Sequence, residues 1–259
     1  MTVHGGLGQT RIEQVLELAR VTGDIALQHY KSNLTVETKA DGSPVTAADR
    51  AAETAAREWI LKYFPEDGVL GEEFGEERPS AARQWIIDPI DGTKSFVRGV
   101  PLWGSLVALT EGDEVLAGAA YFPAIGEWLA AAQNAGCWWN DSLCHVSAVD
   151  KMHEATVMTT DERFTGRIQY LDGWRRLSRA AAVSRTWGDC FGYLLVATGR
   201  AEVMVDPVMS PWDAAALQPI IMEAGGHFSD WDGKDTAFSG SVIATNGALA
   251  AEARHLLAD

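Results

Sequence analysis

The chain has 259 residues, 47% of them apolar, with 36 acidic against 21 basic side chains and a formal charge of −15. That length and composition fit a globular protein with one large domain or two lobes, and exclude a disordered chain. The acidic balance, with a pI near 4.8 and no basic run, argues against nucleic acid or an anionic membrane surface as partner.

The first residues, Met1-Thr2-Val3-His4-Gly5-Gly6, lack the charged and apolar regions of a signal peptide, and no stretch of about 18 apolar residues is present to span a bilayer, so a cytoplasmic protein is expected. Over residues 11–31 the apolar positions Ile12, Val15, Leu16, Ala19 and Ala26 fall at helical spacing and predict an amphipathic helix. A polar loop over 39–44 leads to Thr46-Ala47-Ala48-Asp49, a capping box that opens an Ala-rich helix to about Tyr63. Phe64-Pro65-Glu66-Asp67-Gly68 ends it. Val69-Leu70 and residues 84–87 read as strands whose C-terminal ends carry Gly71-Glu72-Glu73 and Asp88-Pro89-Ile90-Asp91-Gly92-Thr93. Residues 106–109, 115–121 and 128–132 predict an antiparallel meander. Past Val146 strands and helices alternate: strand 155–158, helix 173–181, a strand near Val183, helix 190–198, strand 203–205, helix 213–224 closed by Gly225-Gly226, strand 241–245 and helix 248–257. Two lobes with a broad shared interface are expected, 1–146 and 147–259.

Cys137, Cys144 and Cys190 form no C-x-x-C pair and are odd in number, which suits a reducing compartment; each reads as a small buried apolar side chain. No histidine has metal-ligand spacing, and Trp138-Trp139 reads as core.

The acidic motifs carry the chemistry. Pro89 fixes its own backbone angle and biases Asp88 toward extended geometry, so the strand should end there and the turn should bring Asp91 back toward Asp88. The same turn should leave the Ile90 carbonyl free as a hard oxygen ligand and let the amides around Gly92 approach an anion. Alone, the hexapeptide reads as an ordinary Asp-Gly turn. Beside it, Glu72 becomes a candidate ligand and orienting base, while Glu73 reads as a surface or supporting residue. Asp213, in Trp212-Asp213-Ala214, reads as either helix cap or ligand. Carboxylates brought this close repel, and either a raised pKa or a divalent cation relieves them; the cation is the expectation, because it would also give an acidic protein a positive socket for a phosphate ester.

These segments in this order, together with Val45-Thr46-Ala47-Ala48-Asp49 and Glu223-Ala224-Gly225-Gly226, resemble the inositol monophosphatase superfamily over nearly the whole chain. The resemblance implies a mixed α+β and α/β protein, a layered αβαβα sandwich of the inositol monophosphatase/fructose-1,6-bisphosphatase type. It implies a magnesium-dependent, lithium-sensitive phosphomonoesterase, commonly a homodimer, acting on a small phosphate ester. By position, Glu72, Asp88 and the Ile90 carbonyl would hold one Mg2+, Asp88, Asp91 and Asp213 a second, and Glu72 a third, weaker ion, with Mn2+ or Zn2+ as substitutes. Asp49 and Thr93, with Glu72, would orient the attacking water. The Gly92 and Thr93 amides would receive phosphate oxygens, with Asp91 and Asp213 beside the substrate.

Two further positions bear on the ester. Asp206 stands where inositol-specific members carry a glutamate that touches substrate hydroxyls, and Asp189, in Arg185-Thr186-Trp187-Gly188-Asp189, replaces a small or hydroxyl residue. Extra carboxylates at a pocket rim favour a cationic leaving group over a neutral polyol. The wording of residues 67–75, 92–101 and Gly188-Asp189 looks like the bacterial histidinol-phosphate phosphatases of this superfamily, which implies hydrolysis of L-histidinol phosphate in histidine biosynthesis, with Arg185, Asp189 and Asp206 at the substrate. Asp189 also reads as a helix cap and Asp206 as a plain Asp-Pro turn. A broad inositol or sugar phosphatase, and a non-catalytic member that binds RNA polymerase or an elongation factor, remain the competing readings. Pro219 should kink the helix that starts at Asp213 about one turn after it, and Ser95 stands where related sequences often carry asparagine.

Overall fold

The computed structural model describes residues 7–32, 36–38 and 44–258. Helix α1 (Leu7–His29) buries Ile12, Val15, Leu16, Ala19 and Ala26 along one face, as their spacing requires. The polar loop expected over 39–44 falls, up to residue 43, outside the described residues. A hairpin of β1 (Val36–Thr38) and β2 (Pro44–Thr46) then leads into α2 (Ala47–Tyr63). The predicted capping box is formed: Asp49 Oδ2 accepts the Thr46 N–H at 2.8 Å and the Thr46 hydroxyl at 2.7 Å, and Thr46 Oγ1 accepts the Ala48 N–H at 3.1 Å.

The next eight strands form one sheet: β3 (Gly68–Gly71), β4 (Gly75–Glu77), β5 (Arg83–Asp91), β6 (Gly104–Glu111), β7 (Glu114–Phe122), β8 (Glu127–Ala132), β9 (Cys137–Trp139) and β10 (Ser142–Leu143). Their order is β10-β9-β8-β7-β6-β5-β3-β4; β3 and β5 run parallel, and every other pair is antiparallel, the meander included. Between β5 and β6 lies a single turn of helix, α3 (Thr93–Phe96). A second, five-stranded sheet follows from β11 (Thr156–Met158), α4 (Leu171–Ala180), β12 (Val183–Arg185), α5 (Asp189–Ala197), β13 (Val203–Asp206), α6 (Pro211–Ala214), α7 (Leu217–Glu223), β14 (Gly226–Ser229), β15 (Val242–Asn246) and α8 (Ala250–Leu257). Its order is β12-β11-β13-β15-β14, parallel through β13 and antiparallel beyond.

Strand alternation assigns the layers. Trp85 and Ile87 of β5 pack against α1 and α2, whereas Ile86 joins Leu106, Phe122 and Leu129 against Tyr193 and Leu194 of α5, Ile220 and Ile221 of α7, and Met158, Met204 and Ala244 of the small sheet. Val157, Val203 and Ile243, on the far face of the small sheet, meet Trp174 of α4 and Leu257 of α8. The result is the expected αβαβα sandwich. The two sheets fall on either side of residue 146, and one continuous apolar cluster joins them. Trp138 packs toward the α1–α2 side of the large sheet and Trp139 toward the α5–α7 side; Cys137, Cys144 and Cys190 are buried and unbridged. No helix among the described residues is long and apolar enough to cross a membrane.

Three local expectations need correction. Strand β5 does not end at Asp88: pairing with β6 resumes at Asp91↔Gly104 after a register shift, so the chain passes Pro89 as a bulge, where a missing N–H is tolerated. The helix expected over 213–224 is two helices, because Pro219 has no N–H to offer the Ala215 carbonyl and the hydrogen-bond ladder lapses while Ala215 and Ala216 keep helical angles. Gly226 does more than close a helix: it starts β14, an edge strand that the sequence pattern did not announce.

Candidate active site

Three pieces of backbone deliver the carboxylates. The β5 bulge carries Asp88 and Asp91; Asp88 Oδ1 accepts the Ile90 N–H at 2.9 Å, and the buried Ser105 hydroxyl on β6 donates to the Pro89 carbonyl at 2.6 Å, fixing the bulge from beneath. Asp91 Oδ2 accepts the backbone N–H of Cys190 at the start of α5. Asp213 is the third residue of α6 and completes a second capping box with Ser210 as the cap, its Oδ2 accepting the Ser210 N–H at 2.7 Å, so it takes part in capping as well as facing the cavity. One oxygen from each of Asp88, Asp91 and Asp213 lies within 4.8 Å of the others. Glu72, on the loop after β3, lines the same cavity, and its own N–H bonds the Ile87 carbonyl at 3.2 Å, which ties that loop to β5.

The electrostatic consequence is large. Burial, then the charges of Glu72, Asp91 and Asp213, hold the Asp88 carboxyl well above the ordinary carboxylate range. Burial, Asp189 and Asp213 do the same to Asp91 against the opposing Cys190 hydrogen bond. Burial lifts Asp213 to about 7 although the Ser210 N–H pulls it down. With protein groups alone these acids cannot all be charged at neutral pH. Hard oxygen donors in this number, buried or half-buried and facing one cavity, are the set that suits Mg2+ or another hard divalent cation, whose charge would let them ionise together. The residues present therefore fit such an ion.

The cavity, about 340 Å3, is closed on its other side by Gly92, Thr93, Lys94, Thr160, Asp189 and Asp206, among others. Gly92 has φ 88°, and a β-carbon on it would lie 2.8 Å from the Leu102 carbonyl oxygen and 3.2 Å from Asp189 Oδ2, so the residue must be glycine for the turn to close under Asp189. The Ile90 carbonyl, expected to be free, accepts the Thr93 hydroxyl at 3.0 Å and keeps a second lone pair. The Ile90 side chain is wholly buried beneath the turn.

Asp49 is buried and does not line the cavity; its carboxyl is raised first by desolvation and also by the charge of Glu72, against the Thr46 hydrogen bonds. Asp189 lies at the rim, lifted to about 6 by burial against the opposing pull of Lys94. Asp206 is 4% exposed, its oxygens accepting the Thr160 N–H at 3.0 Å and the Tyr193 hydroxyl at 3.0 Å, and burial lifts it to about 7. The structure does not bring Arg185 to this cavity: it ends β12 in the open, with its guanidinium 5.8 Å over the Trp187 ring.

Sequence reasoning passed over Glu53. This fully buried carboxylate on α2 accepts the Glu73 N–H at 2.7 Å and the Phe74 N–H at 3.2 Å, with Arg57 Nε donating at 2.9 Å, and so anchors the turn that aims Glu72. The available signal was Asp49, Glu53 and Arg57 at four-residue spacing, a charged stripe on an Ala-rich helix.

The Inositol monophosphatase family matches residues 9–258. The histidinol-phosphatase of Chlorobaculum parvum is 42% identical over 240 residues, covering 92% of this chain and 93% of that protein. The histidinol-phosphatase of Mycobacterium tuberculosis is 39% identical over 231 residues, 84% of this chain and 85% of its own length. A solved inositol monophosphatase from Zymomonas mobilis superposes with a TM-score of 0.88 at 31% identity, covering 98% of this chain and 99% of that one. The chain belongs to the inositol monophosphatase family and is a phosphoric monoester hydrolase.

Proposed function

We propose that this family member hydrolyses L-histidinol phosphate to L-histidinol and phosphate, with magnesium held by Asp88, Asp91 and Asp213, and by Glu72 and the second lone pair of the Ile90 carbonyl. The ion would supply the positive charge that draws a phosphate dianion into an acidic cavity and stabilises charge on the phosphoryl oxygens. The amides of Gly92 and Thr93, at the turn that lines the cavity, are the donors for those oxygens. Glu72 is the carboxylate placed to hold the attacking water and take its proton, and Asp49 and Thr93, the latter anchored on Ile90, orient that water. The single observation that carries the choice of ester is Asp189, a carboxylate at the cavity rim with Oδ2 directly over the Gly92 turn. A leaving group with an ammonium meets it favourably; a neutral polyol leaves it with no charge partner beyond Lys94. The two histidinol-phosphatase relatives favour the same ester.

Phosphate release from histidinol phosphate and from inositol 1-phosphate, with and without Mg2+, tests the reading. A kcat/KM at least about tenfold higher on histidinol phosphate, abolished by chelation, is expected, since about 1.4 kcal/mol of charge recognition is enough for that ratio. Equal or greater activity on inositol 1-phosphate refutes the substrate, and no hydrolysis of either refutes catalysis in favour of a binding role. The three unbridged thiols suit a cytoplasmic setting, and a homodimer is part of the proposal, read as about twice 28.0 kDa in a native mass measurement.

A further inference from the structure

Thr160 sits where two cavities meet. Next to the acidic cavity lies another of about 430 Å3, and Lys94, Thr160 and Asp189 line both. Thr160 is uncharged, yet it ties the backbone of Asp189 to the carboxylate of Asp206, on different elements. Its Oγ1 accepts the Asp189 N–H at 2.8 Å, and its own N–H donates to Asp206 Oδ1 at 3.0 Å. Asp189 has φ 51°, a left-handed conformation that a non-glycine residue keeps only where its surroundings hold it. The Thr160 hydroxyl is such a hold. Gly188 completes it, because a β-carbon there would lie 2.3 Å from Thr160 Cα, so the backbone entering α5 rests directly on Thr160. Asp161 and Glu162 also line the second cavity but not the acidic one, and Asp161 accepts Arg163 Nε at 2.8 Å and 3.0 Å, so Asp189 is the carboxylate common to both spaces.

We propose that Thr160 is a positioning residue: it fixes the Asp189 carboxylate on the boundary between the cavities and so sets a preference for phosphate esters whose leaving group is a cationic amine, with that group lying in the second cavity. Asp189 is taken here to meet the leaving group as proposed above. Thr160 acts through Asp189; its hydroxyl also bonds Asp206, but Asp206 keeps the Thr160 backbone N–H and the Tyr193 hydroxyl whatever the side chain at 160 is. Loss of the hydroxyl should therefore release Asp189 and leave Asp206 in place.

The test is the ratio of kcat/KM for histidinol phosphate to that for inositol 1-phosphate, measured on the Mg2+-loaded protein for wild type, Thr160→Val, Thr160→Ser, Asp189→Ala and the double variant Thr160→Val/Asp189→Ala. Thr160→Val keeps the branched shape and removes the acceptor. It should raise KM for histidinol phosphate about tenfold and change kcat less than about threefold, the split expected when ground-state recognition is lost. Thr160→Ser should restore the ratio. In the Asp189→Ala background the valine should shift the ratio less than about twofold, as two residues acting through one interaction are not additive. A fall in kcat and melting temperature with equal loss on both esters, failure of serine to rescue, or full additivity would overturn the inference. If wild type prefers inositol 1-phosphate, the substrate reading fails, and the inference stands only if Thr160→Val still moves the ratio in the direction of Asp189→Ala. An unchanged ratio overturns it in either case.

Discussion

The two walls of the acidic cavity are held in different ways. On the large-sheet wall, Asp88 and Asp91 ride one bulged strand and Glu72 a loop bonded to it, and burial and neighbouring carboxylates hold the Asp88 and Asp91 carboxyls well above the ordinary range. On the small-sheet wall, Asp206 has both oxygens satisfied by Thr160 and Tyr193, and Asp189 stands on a left-handed backbone braced by the same threonine. The first wall stores repulsion that a divalent cation relieves. The second holds Asp206 by hydrogen bonds and leaves the Asp189 carboxylate at the rim, where it is proposed to meet what the phosphate is attached to. On the proposed function the first wall carries the charge for the reaction and Asp189 the recognition, with the Asp189 charge still reaching Asp91 across the cavity, so breaking the first should stop turnover and breaking the second should shift the preference between esters.

The largest effect should come from the first wall. Asp91→Asn or Asp88→Asn is expected to lower kcat/KM by about a thousandfold or more, matching the several kcal/mol of transition-state charge stabilisation that a bound cation supplies. The same variants, metal-free, should melt no lower than wild type, because an amide removes a repelling charge. Activity within tenfold of wild type would erase the distinction between the walls. Next comes Glu53→Ala, which strips the acceptor from the Glu73 and Phe74 N–H groups and leaves Arg57 only Glu77 and the Gly75 carbonyl. It should cost about 3 kcal/mol in a denaturant titration and reduce kcat about tenfold or more, as loss of a residue that orients a ligand does. Full activity would mean that the turn does not aim Glu72. On the second wall, Asp189→Ala should lower the histidinol phosphate to inositol 1-phosphate ratio of kcat/KM about tenfold, a loss of recognition with the chemistry left running; a fall in kcat alone would put Asp189 on the first wall's side of the comparison.

The smallest effect is the dependence of stability on pH. Burial holds Asp206 and Asp213 at about 7 and Asp189 at about 6 in the folded, metal-free protein, while unfolded carboxyls titrate near about 4. Between those values the folded state keeps protons that the unfolded chain has released. The stability these groups contribute is complete below the unfolded value and is lost as pH rises through the folded one. The metal-free melting temperature should therefore fall from about pH 5 to about pH 8, and Mg2+ should raise it more at the higher pH. A metal-free melting temperature that climbs across that window contradicts these shifts.

The first wall was readable because its residues announce their own geometry. Gly71-Glu72-Glu73 follows a short apolar strand, and Asp88 to Thr93 combine Pro and Gly at fixed offsets, so local chemistry alone predicts a crowded turn, even though the strand continues through it as a bulge. Asp49 was readable as a cap for the same reason. The second wall was readable only in part. Asp189 and Asp206 drew attention as acids out of place, but Asp206 closes a central strand and is sealed beneath the cavity, while Arg185 ends β12 in the open. Thr160 gave no signal: it is a neutral residue past a three-residue strand, and its bond to Asp189 spans 29 positions. Glu53 was hidden by composition, since an Ala-rich helix with charges reads as scaffold until the fold shows which stripe is buried.

Anomalous scattering from crystals of the protein grown with Mn2+, a heavier stand-in for Mg2+, tests the central claim most directly. The account predicts metal peaks among Asp88, Asp91 and Asp213, at about 2.1 Å from carboxylate oxygens as hard octahedral ions require. Peaks only elsewhere, or none, with the three carboxyls sharing protons instead, would contradict it.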